Sequence, residues 1–143
     1  MPRHSLTRRV RFAAAHRYRR PEWDDATNAR IFGACANPHY HGHSYVCDVT
    51  VEGALDATTG FVVDLGVLDR ALAHEVRERY DHRNLNLECP EFADGALIPT
   101  GEQLATVIAE RVQRALAEGA QTATVTRVVV AEDESLWSSW EIA

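Results

Sequence analysis

Two histidines flank one glycine in His41-Gly42-His43, and a third, His16, closes an apolar alternation that begins at Val10. Histidines two apart on a β-strand project from one face, so both imidazoles reach a common ion. If the strand ending at His16 pairs with the strand beginning at His41, three neutral nitrogens converge. They leave a fourth position open, the arrangement of a catalytic rather than a structural zinc. A bare H-x-H is otherwise more often two surface or hydrogen-bonded core histidines. A third histidine at a strand end on the common face is what favours metal. His39 lies in the loop before that strand and is the weaker ligand candidate.

Other reactive groups surround this cluster in the sequence. Cys35 sits in the loop Gly33-Ala34-Cys35-Ala36-Asn37-Pro38. Beside a bound cation its pKa would fall and it would serve as base or nucleophile; away from one it is a small hydrophobe. Cys47 falls on an apolar strand face and reads as core, and Cys89 as structural. Asp81-His82 could fix a histidine tautomer for proton shuttling, although a histidine after a helix also answers the helix dipole. Glu132 shares the face of Val128 and Val130, where an unpaired carboxylate is expensive. It suits the 2-amino and N3–H edge of a pterin or guanine, or else it belongs to a solvated turn with Asp133 and Glu134. Thr100 and Glu102 are most simply a helix cap and a first-turn acid.

The elements that must position these groups follow from hydrophobic period. Alternation predicts a first strand over Leu6–His16, with Val10, Phe12, Ala14 and His16 facing inward. Arg17–Arg30 is expected to be a long loop. A second strand follows His41, with His43, Tyr45, Cys47, Val49 and Val51 on one side. Asp56–Gly60 predicts a turn and Phe61–Val63 a short strand beyond it. Leu65, Leu68, Leu72, Val76 and Tyr80 recur at helical spacing, so Asp64–Tyr80 is predicted as an amphipathic helix. Asp81–Pro99 is predicted as loop. Thr100 caps a second helix that Gly119 ends. Thr122–Ala131 and Leu136–Ile142 complete four strands and two helices in the order ββααββ, an antiparallel α+β layer in one domain spanning 1–143. One sheet face is left uncovered by the protein's own helices, and association through that face or the sheet edges is expected.

Composition excludes several functions. The sequence has 143 residues, 45% hydrophobic and 25% charged, which suits one globular domain. No apolar run approaches the ~20 residues of a membrane span. A net charge of −6 argues against sequence-independent nucleic-acid binding. All 15 basic residues are arginine, so Schiff-base and P-loop chemistry, both of which need lysine, are excluded. Three cysteines without a paired motif point to a reducing, cytoplasmic compartment. Seven arginines and no acid in the first 20 residues could pass for a transit peptide. The period-2 pattern from Val10 favours a strand instead. A metal-dependent amidohydrolase also begins with H-x-H, but its barrel needs ~250 residues.

Taken together, the motifs resemble one family. Phe12–His16 (F-A-A-A-H), Phe32–Tyr45 (F-G-A-C-A-N-P-H-Y-H-G-H-S-Y), Tyr80–Asn86 (Y-D-H-R-N-L-N), Pro99–Glu102 (P-T-G-E) and Val130–Glu132 (V-A-E) are similar, in order, to the motifs of the 6-pyruvoyltetrahydropterin synthase / 6-carboxytetrahydropterin synthase family. The resemblance implies a tunnelling fold, with subunits assembled into a barrel, as a homohexamer, and active sites between them. It implies zinc on His16, His41 and His43, and 7,8-dihydroneopterin triphosphate as substrate. It further implies Cys35 as general base, Asp81 and His82 as proton relay, Glu132 as ring anchor, and Thr100 and Glu102 as pocket residues. Five residues separate Cys35 from His41, the spacing of the pyruvoyl-forming branch; the carboxy-forming branch, which feeds queuosine, usually shows three. Ser44 and Gly101 depart from the family's common asparagine and threonine. A zinc- or pterin-binding module without catalysis would leave Cys35, Asp81-His82 and Glu132 unexplained as a set.

Overall fold

The computed structural model describes residues 2–143. Strands β1 (His4–His16) and β2 (His41–Gly53) pair antiparallel along their whole lengths, from His4 opposite Gly53 to His16 opposite His41. The alternation expected from sequence is realised as burial. Val10, Phe12, Ala14 and His16 face inward from β1, and Tyr45, Cys47, Val49 and Val51 from β2. Phe12 stacks on Tyr45 with ring centroids 4.7 Å apart, so the aromatic layer lies directly beneath the histidines.

The inner sheet face is covered by two helices that begin where the sequence places their caps. Helix α2 (Leu65–Leu72) starts after Asp64, whose side chain accepts from the Val67 N–H. Helix α5 (Gly101–Glu118) starts after Thr100, whose hydroxyl accepts from the Gln103 N–H. Each cap satisfies an N–H that the first helical turn cannot pair internally. Leu68 and Leu72 of α2 and Leu104, Ile108, Val112 and Leu116 of α5 join the strand residues in one core. Strands β4 (Thr124–Asp133) and β5 (Leu136–Glu141) extend the sheet beyond β2.

Four expectations need correction. The predicted loop after His16 contains a helix, α1 (Asp25–Phe32), capped by Asp24. It buries only Asn28, so it carries no apolar stripe to betray it. Phe61–Val63 forms no strand. The Asp56–Gly60 turn before it is present, closed by the Gly60 N–H on the Asp56 carbonyl. The helix predicted over Asp64–Tyr80 is interrupted by a wider π-helical turn (Ala73–Arg77) before a last turn, α3 (Glu78–Tyr80). The predicted loop Asp81–Pro99 holds a two-residue strand β3 (Arg83–Asn84), a helical turn α4 (Leu85–Glu88) and a 3-10 turn (Pro90–Phe92). Because β3 runs parallel to Ala14 and Ala15, the sheet is mixed, with five strands in the order β3-β1-β2-β4-β5.

Asn28 locks the segment between β1 and α1. Its carboxamide nitrogen donates to the carbonyls of Arg20, Trp23 and Asp24 at 3.1, 3.2 and 3.0 Å, and its oxygen accepts from the Arg20 N–H at 2.8 Å. Removing that amide leaves buried backbone groups unpaired. Asn28→Ala is expected to lower unfolding free energy by about 2 kcal/mol in urea titrations; an unchanged midpoint would refute the locking role.

Candidate functional site

The β1–β2 register sets His16 directly opposite His41, and His43 two residues on opposite Ala14. One nitrogen from each of the three rings lies within 4.8 Å of the other two. His16 Nε2 and His41 Nε2 are 3.2 Å apart. The small side chain of Ala14 leaves room for the third ring. His16 is fully buried, and its Nδ1 lies 2.9 Å from the Pro99 carbonyl. A carbonyl cannot donate, so Nδ1 carries the proton and Nε2 presents its lone pair to the cluster. His43 Nε2 is buried and has no hydrogen-bond partner. Burial pushes His16 down to about 4, with His41 and His43 adding to it, and burial with His43 lowers His41 against the pull of Glu132. Three convergent imidazole nitrogens, with burial favouring the neutral form of His16 and His41, are the donor set of a divalent metal such as zinc.

The surroundings are built from three other segments. A bulge between Ala131 and Asp133 ends the regular β4–β5 ladder, and Glu132 turns inward there with Val128 and Val130, as the sequence pattern indicates. Its Oε1 lies 4.0 Å from His16 Nε2 and its Oε2 3.9 Å from His43 Nε2. Tyr18 donates its hydroxyl to Glu132 Oε1 at 3.0 Å. Burial and the Glu132 charge both push that phenol up, so it stays a donor. Cys35 lies on a 3-10 turn (Gly33–Ala36) whose Cys35 carbonyl accepts from the Tyr18 N–H at 2.7 Å. Burial first, then the Glu132 charge, push the Cys35 thiol above its ordinary range, so the protein alone holds it protonated. The lowering expected from sequence is conditional on a bound cation.

The structure brings Glu132 to the histidines and the Cys35 turn to Tyr18 and Glu132, whereas Asp81 and His82 bond elsewhere. Asp81 Oδ1 accepts from the Ala13 N–H at 2.8 Å, which holds its carboxyl below the usual range with help from His82. His82 Nδ1 lies 3.1 Å from Asp81 Oδ2, and its side chain is 84% exposed. His82 has a left-handed backbone, φ 60°, fixed by its own N–H on the Ala13 carbonyl. Thr100 is the α5 cap, as expected. Glu102 is exposed and accepts from the Ser138 hydroxyl. A Cβ at Gly101 would meet Ser138 Oγ at 2.7 Å and Ser138 Cβ at 3.2 Å, so a side chain there requires the Ser138 hydroxyl to turn aside. Ser44 lines an open cleft with Gly42, His43 and Glu132. His39 is exposed and outside the histidine cluster. Cys47 and Cys89 are buried, as expected of core residues.

Sequence reasoning missed Tyr18, the Pro99 carbonyl and Ser138. Tyr18 lies in a segment without period, and a main-chain carbonyl carries no residue signature. Only its two-residue offset from His16 marked Tyr18 as a neighbour of the site.

A family model described as 6-pyruvoyl tetrahydropterin synthase matches residues 5–142. The protein is 37% identical over 114 residues to 6-pyruvoyl tetrahydrobiopterin synthase of Homo sapiens, covering 80% of this sequence and 77% of that one. It is 34% identical over 102 residues to 6-carboxy-5,6,7,8-tetrahydropterin synthase of Bacillus subtilis, covering 70% of this sequence and 65% of the other. Its fold matches the structure of Caenorhabditis elegans 6-pyruvoyl tetrahydropterin synthase with a TM-score of 0.89 at 29% identity, over 100% of this protein and 98% of that one.

The buried His16 makes a pH prediction for the metal-free protein. Its folded pKa of about 4 lies below the unfolded value of 6.5, so between them the unfolded state binds a proton that the folded state refuses. Stability is therefore full above pH 6.5 and falls as pH drops toward 4, by up to about 1.4 kcal/mol per pH unit from this group. Urea titrations across that window should show the slope, and His16→Gln should reduce it; an identical slope in the variant would exclude His16 as its source.

Proposed function

The chain belongs to the 6-pyruvoyl tetrahydropterin synthase family, and on that premise we propose that it is a carbon–oxygen lyase converting 7,8-dihydroneopterin triphosphate to 6-pyruvoyl tetrahydropterin with loss of triphosphate. The observation that carries this reading is the convergence of His16, His41 and His43 beside a buried Glu132 and the Cys35 turn. His16, His41 and His43 hold Zn2+, which when bound supplies a Lewis acid that acidifies protons on the substrate's side arm.

Glu132 accepts from the 2-amino group and N3–H of the pterin ring, and so orients that arm toward the histidines. Cys35 is the general base for a C–H proton on the arm; the burial that raises its pKa makes its thiolate more basic once formed. Thr100 and Glu102 shape the pocket from the start of α5, with the Ser138 hydroxyl fixing one Glu102 oxygen. Asp81 orients His82 as the proton relay. The exposed ring of His82, bonded to Asp81, supports a relay that serves the metal site of an adjoining copy, as active sites between subunits would require.

Assembly as a homohexamer built around a barrel accompanies this reading. The outer edge of β1 is covered by β3 only at Ala14 and Ala15, and β5 is the other sheet edge, with its own Leu136 and Trp137 exposed. Open edges of this kind seek a partner strand. No helix of the described residues is long and apolar enough to cross a membrane. The free thiols of Cys35, Cys47 and Cys89 support a reducing, cytoplasmic setting. The similarity to the Bacillus subtilis enzyme supports 6-carboxytetrahydropterin formation, the queuosine branch, as the second reading. The five-residue spacing between Cys35 and His41 argues for the first.

Zinc-loaded protein given 7,8-dihydroneopterin triphosphate anaerobically is expected to yield 6-pyruvoyl tetrahydropterin and triphosphate by mass spectrometry. A 6-carboxy product with acetaldehyde would establish the second reading. Cys35→Ala should retain zinc and lose turnover by about 10²-fold or more; full turnover would remove Cys35 from the mechanism. Co-expressed Cys35→Ala and His82→Asn variants should regain activity that neither has alone. No recovery in mixed oligomers would place the relay within one subunit.

A further inference from the structure

Tyr18 touches the histidine cluster, the carboxylate and the cysteine turn at once. Its N–H donates to the Cys35 carbonyl at 2.7 Å. Its ring stands edge-on to His16, with centroids 4.9 Å apart at 70°, and to Phe32 at 5.9 Å and 74°. Its hydroxyl donates to Glu132 Oε1 at 3.0 Å. A phenol held at both ends in this way cannot follow the carboxylate if the carboxylate moves.

Glu132 has reason to move. Zinc bonded to nitrogen at ~2.0–2.1 Å in tetrahedral geometry sets its donors ~3.3 Å apart. His16 Nε2 and His41 Nε2 already have that spacing at 3.2 Å. The Glu132 oxygens, at 4.0 Å from His16 Nε2 and 3.9 Å from His43 Nε2, fall short of it by roughly 0.6 Å. A buried anion so near a divalent cation is drawn onto it, which would fill the fourth position and remove the carboxylate from the substrate. Rotation toward the histidines strains the bond from the part-buried Tyr18 hydroxyl, which opposes that movement.

We propose that Tyr18 is a positioning residue that holds Glu132 off the metal, keeping the fourth coordination position open and the carboxylate free for a ring edge. This rests on the reading of His16, His41 and His43 as a zinc site. It makes a prediction opposite in sign to ordinary outer-shell support, whose removal weakens metal binding 10–100-fold.

The test uses full-length protein with Zn2+ and, separately, Co2+. Tyr18→Phe keeps the ring that packs on His16 and Phe32 and removes only the hydroxyl. Its Zn2+ affinity, measured by chelator competition, should rise about tenfold. The visible absorption of the Co2+ form should change as carboxylate replaces water, and KM for the pterin substrate should rise. Tyr18→Phe combined with Glu132→Gln should return metal affinity and Co2+ spectrum to those of the parent. Unchanged or weaker Zn2+ binding in Tyr18→Phe overturns the proposal, as does a gain that survives Glu132→Gln. If the parent protein binds neither metal, the zinc reading fails and the proposal with it.

Discussion

The register between β1 and β2 is the constraint on which everything else depends. Their pairing sets Val10 against Cys47, Phe12 against Tyr45, Ala14 against His43 and His16 against His41. Side chains alternate with period two, so a slip of one residue would turn the second strand's whole inner row to the other face. The apolar rungs and the histidine rungs belong to one ladder. Core packing therefore fixes the donor positions, and the cost of misplacing a ligand includes the cost of exposing Cys47, Val49 and Val51.

The upper rungs show what this ladder does to charge. Burial favours the neutral form of each group it encloses: imidazole for His16, thiol for Cys35, phenol for Tyr18. Glu132 stands among them within 4.0 Å of two imidazoles. A low-dielectric pocket holding neutral donors and a carboxylate is a poor place for a further anion and a good one for a cation. The unpaired Nε2 of His43 shows the same preference in hydrogen-bond terms.

Much of this is legible in the residues because two periodic strands and two capped helices carry most of the fold. Asp64, Thr100 and Gly119 mark helix ends by chemistry that acts within a few residues, so local sequence suffices for them. The histidines are legible because strand period and pairing turn spacing into direction. Helix α1 escapes because its one buried residue is Asn28, a polar side chain that works through hydrogen bonds instead of a stripe. Strand β3 escapes because two residues pairing with Ala14 and Ala15 form a contact distant in sequence. Phe61–Val63 misleads because apolar, β-branched residues have the composition of a strand where the backbone only bends toward α2. In the site, Tyr18 and Pro99 act through a hydroxyl contact and a backbone oxygen; Tyr18 leaves only its two-residue offset from His16, and Pro99 leaves no spacing to find.

The close approach of Gly101 to Ser138 ties a backbone position to a carboxylate it does not touch. With a Cβ at 101 only 2.7 Å from the Ser138 hydroxyl oxygen, a side chain there requires that hydroxyl to turn aside. The hydroxyl it displaces is the one from which Glu102 accepts. A change at 101 is therefore felt at Glu102, through the loss of a hydrogen-bond partner and not through strain in the backbone.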